Sequence, residues 1–388
     1  MLEILANRAF LRATLTNFFF FSSQNGYVLL PLYIKQLGGT EVEIGVVMGV
    51  YSAVGIVFQP LLGPWVDALG RRPFMFAGVV CVLLATVLSS IANSVPMLLV
   101  VRLLQGLGFS AFFVANFSYV LDLIEPERRG MALGIYGVSG FVSTALAPLI
   151  GEWLVRRWGF QPLFVGSGAI VFVAALLAWT TKEVQRVEVR YVRGFSWMRE
   201  SVADVFRRHM AVAFFFGLST GTLYTFLPTS VEELDIKTIA LFYTGYAVAA
   251  IGVRVVGGRM IDTRGRRAVI VPSMFLLAGG SAILAAAAYA DSRELFVPAL
   301  TVVTLTGLLA GGAHGFLYPA LAALVADDAP AARRGAVIGI FSAIFLCGHA
   351  GGAFAFGGLA HALGYASMWS VLTGLAVIGA AVSMGLKP

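Results

Sequence analysis

The chain has 388 residues, of which 59% are hydrophobic and 12% are charged. Soluble domains carry about a quarter charged residues, so this composition excludes an ordinary water-soluble fold and predicts a protein that spans a lipid bilayer. The net charge of +7 does not indicate a nucleic-acid partner, because the basic residues lie in short clusters between apolar runs, where they set membrane topology.

Apolar runs long enough to span a membrane follow one another along the whole chain. Because a spanning helix needs about 20 apolar residues, the sequence predicts twelve of them, near 10–34, 42–66, 73–92, 96–121, 130–155, 160–181, 210–231, 238–261, 268–290, 295–326, 335–360 and 364–386. The tenth run is longer than a span needs, and Gly311, Gly312 and Pro319 give it a place to bend. The prediction is an all-α integral membrane protein.

Basic residues fall on alternate connections between these segments. They are Arg8, Arg12, Arg71, Arg72, Arg128, Arg129, the stretch 182–209, residues 264–267, Arg333 and Arg334. The opposite connections are acidic or uncharged, apart from Arg156 and Arg157. The positive-inside rule therefore predicts a multi-pass protein of the cytoplasmic (inner) membrane with both termini in the cytoplasm. We expect the first segment to act as an uncleaved insertion signal.

A ten-residue motif occurs once in each half of the chain. Residues 63–72 read Gly-Pro-Trp-Val-Asp-Ala-Leu-Gly-Arg-Arg and residues 258–267 read Gly-Arg-Met-Ile-Asp-Thr-Arg-Gly-Arg-Arg, an offset of 195. Asp122 and Arg129 recur as Asp327 and Arg334 at an offset of 205. Motifs repeated at half the chain length indicate an internal duplication. We therefore predict two six-helix halves of like orientation, residues 1–181 and 210–388.

The connection between the halves, residues 182–209, is basic and amphipathic. It holds seven Lys or Arg against four Asp or Glu. Met198, Val202, Val205 and Phe206 follow the spacing of an apolar helix face, and Ser196 is suited to cap such a helix. We predict a helix that lies on the cytoplasmic surface of the membrane.

These motifs resemble the major facilitator superfamily over the full length of the chain. The Gly-x-x-x-Asp-x-x-Gly-Arg-Arg connection is the most specific signature of that family. Residues 31–33 and 44–45 look like its bacterial efflux-permease branch, and residues 102–108, Arg-Leu-Leu-Gln-Gly-Leu-Gly, are similar to its second motif. The antiporter motif is matched in part, because Ala147 and Glu152 stand where glycines are usual. The resemblance implies two six-helix bundles around a central cavity lined by segments 1, 4, 7 and 10, working by alternating access.

The resemblance also implies that the repeated motif is a latch that forms and breaks during transport. Asp67 and Asp262 lie at helix ends, where a carboxylate is well placed only beside the N-terminus of a neighbouring helix. The alternative, a topology signal with turn chemistry, accounts for the paired arginines but not for the Asp and Gly spacing. The expected latch residues are Gly63, Asp67, Gly70, Arg71, Arg72, Gly258, Asp262, Gly265, Arg266, Arg267, Asp122 and Arg129.

Polar and charged residues inside the segments are candidates for substrate binding, because a charge is costly in hydrocarbon. Arg102 lies about 9 Å into the fourth segment, and Gly307 and Ala310 occupy the positions of Arg102 and Gln105 in the second half. The alternative for Arg102 is a side chain that extends to the outer interface. Arg254 has the alternative of supporting the nearby latch, and His314 that of a hydrogen-bonded packing residue. The candidate cavity residues are Gln24, Asn25, Tyr27, Arg102, Gln105, Asn116, Tyr119, Tyr224, Arg254, His314 and Tyr318.

The middles of segments 1, 7 and 10 contain no Asp or Glu, whereas proton-coupled drug exporters of this family usually carry an embedded acid. Arg102, Glu152 and His314 are the candidates to take part in proton coupling, although Arg156 follows Glu152 at the spacing of a surface ion pair. Because the embedded charges are arginines, the predicted cavity is neutral to positive. We expect an anionic or amphipathic substrate.

The sequence therefore predicts a secondary transporter of a small molecule, with export as the first expectation and proton coupling left open. A lipid or lipid-linked flippase and an uptake or facilitated-diffusion permease of the same fold are the alternatives. The sequence shows no nucleophile–base pair, metal-ligand cluster or phosphate-binding loop, so we expect neither an enzyme nor a metal or cofactor. Cys81 and Cys347 form no disulfide framework or redox motif. We expect a monomer.

Overall fold

The computed structural model describes residues 6–125, 129–183, 208–236, 238–296, 298–328 and 334–386. Every regular element in these residues is a helix. The helices are α1 (Arg8–Gly26), a 3-10 turn (Tyr27–Leu29), α2 (Leu30–Gln36), α3 (Glu41–Leu69), α4 (Arg71–Ile91), α5 (Val95–Asp122), α6 (Arg129–Trp158), α7 (Phe160–Trp179), α8 (Arg208–Glu233), α9 (Ala240–Arg264), α10 (Arg267–Asp291), α11 (Ala299–Asp328) and α12 (Arg334–Met384). The predicted amphipathic helix of the central connection lies outside the described residues.

The described helices account for all twelve predicted spans. Within the part of the chain that the structure describes, nine apolar stretches are long enough to cross a membrane by length and composition. One of them, Ile340–Met384, is two spans, because Gly364 has a φ of 76° and interrupts α12. The first predicted span is α1 and α2 with the 3-10 turn between them, and α9 has a shorter apolar part, Ala240–Val255. The predicted fold class is confirmed.

The helices form two compact units. Unit 1 contains residues 1–30 and 57–193, and unit 2 contains residues 31–56 and 194–388. The first half of α3 therefore groups with the C-terminal helices, although α3 is one continuous helix. The division predicted from the duplication places residues 31–56 in the N-terminal half instead.

Four helix pairs of unit 1 have counterparts in unit 2. In unit 1, α1 packs against α6 and α7, and α4 packs against α5 and α7. In unit 2, α8 packs against both parts of α12, and α10 packs against α11 and the second part of α12. When the helices are numbered as membrane spans, with α12 counted as spans 11 and 12, the contacts between spans 1–5, 1–6, 3–4 and 3–6 of unit 1 recur between spans 7–11, 7–12, 9–10 and 9–12 of unit 2. This repetition is the packing expected of an internal duplication.

Glycines bring several of these helix pairs into backbone contact. A β-carbon at Gly78 of α4 would lie 2.6 Å from the carbonyl oxygen of Gly108 of α5, and the reverse is equally true. In unit 2, β-carbons at Gly307 and Gly311 of α11 would overlap backbone carbonyls of α9. Close approach of this kind is a principal source of helix association in membranes, where burial from water no longer drives packing.

Two neighbouring glycines of α11 give a matched test of this contact. Gly311 lies against the carbonyl of Tyr246, whereas the nearest atom to a β-carbon at Gly312 belongs to Val253, at 4.0 Å. We expect Gly311→Ala to cost about 1–3 kcal/mol, as overpacking does, and Gly312→Ala to leave stability unchanged or slightly raised. Thermal unfolding of the detergent-solubilised variants measures the difference. Equal melting temperatures for the two variants would contradict the packing.

Candidate functional site

Arg71 joins three helix ends of unit 1. Its Nε donates to Oδ2 of Asp122, the last residue of α5, at 2.9 Å. Its guanidinium also donates to the carbonyl oxygen of Val66, near the end of α3, at 2.9 Å. A cation beside carbonyls at a helix C-terminus is favoured by the helix dipole, and the bond to a carboxylate is charge-assisted. The predicted latch residues Arg71 and Asp122 are thus brought together.

The second copy of the motif has the same local geometry. Gly70 and Gly265 both adopt positive φ values, 105° and 79°, which a residue with a β-carbon rarely adopts. The arginine after each glycine bonds to a neighbouring helix. In unit 1, Arg71 donates to Asp122 of α5, and in unit 2, Arg266 donates to the carbonyl oxygen of Ala323 in α11 at 3.1 Å. Gly70 and Gly265 are therefore explained by the turn that directs the following arginine towards the neighbouring helix.

The other latch residues are only partly described. The side chains of Asp67, Asp262 and Arg129, and the surroundings of Gly258, lie outside the described residues, so their contacts stay predictions. No atom of the described residues lies within 4 Å of a β-carbon built at Gly63, so its part in the latch also stays a prediction.

Arg72 is bound to the end of α7. It donates to the carbonyl oxygen of Trp179 at 2.9 Å, and its guanidinium lies 5.7 Å from the centre of the indole ring. Both arginines of this copy therefore make contacts inside unit 1.

Sequence reasoning missed Glu183. Its carboxylate accepts bonds from the backbone N–H groups of Arg71 at 3.0 Å and Arg72 at 3.1 Å. It thereby caps α4, whose own capping position is Gly70 and supplies no side chain. Nearby, the Tyr119 hydroxyl donates to the carbonyl oxygen of Lys182 at 3.0 Å. The stretch that follows α7 is thus bound to the same end of unit 1 as the motif.

Arg102 and Gln105 form a buried polar pair in α5. The Arg102 guanidinium donates to Oε1 of Gln105 at 3.0 Å, and Arg102 is only 7% exposed. That burial does not fit a side chain that extends to the interface. The amide nitrogen of Gln105 and both polar atoms of Gln24 have no hydrogen-bond partner among the described residues. Because buried polar groups are normally paired, Gln24 and Gln105 are suited to contact a ligand.

Four other predicted cavity residues of unit 1 link its helices. The Tyr27 hydroxyl donates to Oγ of Ser89 at 2.8 Å. Asn25 donates to Oγ of Ser143 at 2.9 Å, and Asn116 donates to the Tyr136 hydroxyl at 3.0 Å. With the bond from Tyr119 to Lys182, these contacts favour a packing role over the substrate contacts that we expected.

In unit 2, the predicted residues Tyr224, Arg254, His314 and Tyr318 lie in one cluster, which we call the tyrosine cluster together with Tyr246. Tyr246 is at its centre, with ring centres 5.8 Å from Tyr224 and 5.7 Å from His314. His314 stacks on Tyr318 at 6.3 Å. The Arg254 charge interacts with the hydroxyls of Tyr246 and Tyr318. Sequence reasoning missed Tyr246.

Glu152 makes the ion pair that its spacing predicts. Its Oε1 accepts bonds from Arg156 at 2.6 and 2.9 Å, within α6. This confirmed pairing gives Glu152 a structural partner one turn away.

The family model described as Major Facilitator Superfamily matches residues 13–307 and 210–388. The chain belongs to the major facilitator superfamily. An uncharacterized MFS-type transporter of Methanocaldococcus jannaschii is 23% identical over 362 residues, 88% of each chain. A chloramphenicol resistance protein of Pseudomonas aeruginosa is 26% identical over 264 residues, 66% of this chain and 62% of the relative. The crystal structure of the human organic anion transporter MFSD10 (TETRAN) matches with a TM-score of 0.72 at 17% identity, over 97% of this chain and 99% of that one.

Family membership settles the general class of the protein. It is a multi-pass α-helical membrane transporter with the fold of two pseudo-symmetric six-helix bundles, and it is not an enzyme. Transporters of this family bind small-molecule substrates in a membrane.

Glu183 and its neighbour Lys182 offer a matched pair for testing the cap on α4. We expect Glu183→Ala to destabilise the protein by roughly 0.5–2 kcal/mol, as loss of a helix cap does. Lys182→Ala should have little effect, because Lys182 contributes its backbone carbonyl to the Tyr119 bond. Melting temperatures of the two purified variants measure this difference. A Glu183→Ala variant as stable as the parent protein would contradict the cap.

Proposed function

We propose that this transporter exports a small organic anion or amphiphile by alternating access. The observation that carries the proposal is the charge of the polar groups inside the spans: the buried Arg102 in unit 1, and the half-buried Arg254 in the tyrosine cluster of unit 2. In the described spans, the acidic side chains lie near helix ends, apart from Glu152, which is paired with Arg156.

Arginines inside membrane spans favour a particular kind of ligand. A guanidinium in hydrocarbon is costly, and an anion that enters beside it lowers that cost. Its planar set of donors matches a carboxylate or phosphate. The aromatic rings around Arg254 offer faces on which an apolar or aromatic part of the substrate can pack. The expected substrate therefore combines a negative charge with an apolar body.

The similar proteins support this proposal in two respects. The Pseudomonas relative is named for chloramphenicol resistance, which favours export of an organic molecule. The human protein of the same fold is an organic anion transporter, so this fold can accept such substrates.

We further propose that the protein lies in the inner membrane as a monomer, with both termini in the cytoplasm. The basic residues support this orientation, because Arg71, Arg72 and the stretch 180–183 meet at one end of unit 1 and positive charge marks the cytoplasmic side. On this orientation the repeated motif is a cytoplasmic latch, and Arg71 bound to Asp122 holds its first copy in place.

Flux into proteoliposomes tests the substrate class. We expect aromatic carboxylates such as benzoate and salicylate to be transported, and lipophilic cations such as tetraphenylphosphonium to be excluded. The same vesicles with and without a pH gradient show whether protons drive transport, and a fluorescent anionic lipid tests the flippase alternative. Tight binding and transport of cations without transport of anions would overturn the proposal.

Arg102→Ala should reduce anion flux at least tenfold, since a hydrogen bond to a charged group contributes about 1.5–3 kcal/mol. The loss should be mainly in KM, with partial recovery in Arg102→Lys. Arg156→Ala is the matched control, because Arg156 is an exposed arginine paired with Glu152 near the end of α6. Full-rate flux in a correctly folded Arg102→Ala protein would remove Arg102 from the binding site.

Glu152→Gln should leave anion flux and its response to a pH gradient unchanged. The reason is that Glu152 is bound to Arg156 within its own helix. Flux measured at several external pH values tests this expectation. Loss of the pH response in Glu152→Gln would make Glu152 the proton carrier.

A further inference from the structure

Unit 1 contains a cavity of about 220 Å³ between α1, α6 and α7. Apart from Ser22 and Ser167, its walls are apolar side chains and glycines. The α6 wall runs from Leu146 to Leu154, about 12 Å at about 1.5 Å per residue. That length is close to the roughly 15 Å of one half of the hydrocarbon core of a bilayer. Drug-sized ligands occupy pockets of about 300–1,000 Å³, so this cavity is better suited to a narrow apolar chain.

The cavity opens at the surface of α6. The lining residues Leu146 and Ile150 are 42% and 52% exposed. An apolar opening on a membrane span meets the acyl chains of lipids, because the hydrocarbon core holds no water. The chain that enters the cavity is therefore supplied by the bilayer itself.

The α6 face that lines the cavity continues past it into a patch of Trp153, Arg157 and Trp158, which we call the Trp–Arg patch. These residues follow Ile150 and Leu154 at spacings of three and four, so they share one helix face. Both tryptophans are more than half exposed, with ring centres 4.8 Å apart, and the Arg157 guanidinium lies 5.5 Å from the Trp158 ring. Exposed tryptophans at the end of a span mark the boundary between membrane and water. Arg157 therefore lies at the level of lipid headgroups, and the cavity lies beneath it.

Arg157 is explained neither by topology nor by an ion pair. It lies on one of the connections that the positive-inside rule leaves without basic residues. Its neighbour Arg156 is paired with Glu152, whereas Arg157 has no ion-pair partner among the described residues. Because a guanidinium matches the geometry of a phosphate, Arg157 is suited to bind an anionic headgroup.

The second half of the chain lacks the Trp–Arg patch. Gly159 and Gly364 have φ values of 81° and 76° and stand 205 residues apart, the offset of the duplication, so the two helix ends are in register. At the same offset, the residues in place of the patch are Gly358, Ala362 and Leu363. This turn is therefore built without tryptophan or arginine in unit 2. Their presence in unit 1 requires a reason other than the fold.

We propose that unit 1 binds one anionic phospholipid at this place, with the phosphate on Arg157 and an acyl chain in the cavity. The order of the two features matches that of a phospholipid, whose phosphate lies at the membrane boundary and whose chains lie beneath it. The bound chain fills the space between α1 and α6, so it stabilises the folded protein as any ligand of the folded state does. The lipid is a resident ligand and not the transported molecule. Its site does not depend on the proposed substrate.

Photocrosslinking of the full-length protein in proteoliposomes locates the acyl chain. The vesicles contain phosphatidylglycerol with a diazirine near the end of one chain, and labelled peptides are identified by mass spectrometry. We expect the label to be concentrated on α1, α6 and α7 around Ser22, Ile150 and Gly166. Gly166→Leu should abolish it, because a β-carbon there meets only Leu154, at 4.0 Å, and a longer side chain then extends into the cavity. Label spread evenly over the helices of the parent protein, or kept in a folded Gly166→Leu variant, would overturn the proposal.

Native mass spectrometry of the detergent-purified protein measures the headgroup contact. Phosphatidylglycerol and phosphatidylcholine with the same chains are compared, and we expect the anionic lipid to be retained in preference. Arg157→Gln should lower the affinity for phosphatidylglycerol about fivefold, the effect of one basic residue at a membrane surface, and leave phosphatidylcholine unaffected. Arg293→Gln is the matched control, because Arg293 is an exposed arginine in unit 2 that also lies against an aromatic ring, that of Tyr289.

The other outcomes contradict the proposal in separate ways. Equal losses in Arg157→Gln and Arg293→Gln would show a general attraction of charges, and equal retention of the two lipids by the parent protein would remove the headgroup contact. An equal rise in melting temperature with inorganic phosphate alone would make the ligand a soluble anion. Loss of the lipid in Arg102→Ala would identify it with the transported molecule. None of these measurements uses anion flux, so they are independent of the proposed anion specificity.

Discussion

The structure depends on one constraint, which is that lipid offers no hydrogen bonds to a peptide backbone. Each span must satisfy its own N–H and C=O groups, so each span is a helix. Burial from water then contributes little to the packing of one helix on another, and close contact and polar bonds take its place. Unit 1 contains both kinds of contact. Gly78 and Gly108 bring two helix backbones together, and the Tyr27 hydroxyl donates to Ser89.

The same constraint separates structural polar groups from functional ones. A buried amide in hydrocarbon is expensive unless it is paired. Asn25 is bonded to a neighbouring helix, and this explains its presence without a ligand. Gln24 has no partner among the described residues for either atom of its amide, although it is only 9% exposed. Gln24 and Asn25 lie on the same span, so span position does not separate a packing residue from a candidate for ligand binding. Their hydrogen bonds do.

The sequence predicted the fold well because its signals are local or repeated. Hydropathy locates each span, and the motif at Gly70 recurs at Gly265 with the positive φ that the turn requires. The contacts that define the site are of another kind. Glu183 and Arg71 are 112 residues apart, and Tyr119 and Lys182 are 63 apart. No local pattern predicts such pairs, because they exist only after distant helices have packed.

The position at which the two halves differ most sharply is Arg102, whose counterpart in the duplication is Gly307. In unit 2 the glycine lets α11 approach the backbone of Phe242 in α9. At the equivalent position of α5, unit 1 instead buries a guanidinium, which is costly in a membrane. A bound anion beside Arg102 would offset this cost, which is why the asymmetry points to the substrate rather than to the scaffold.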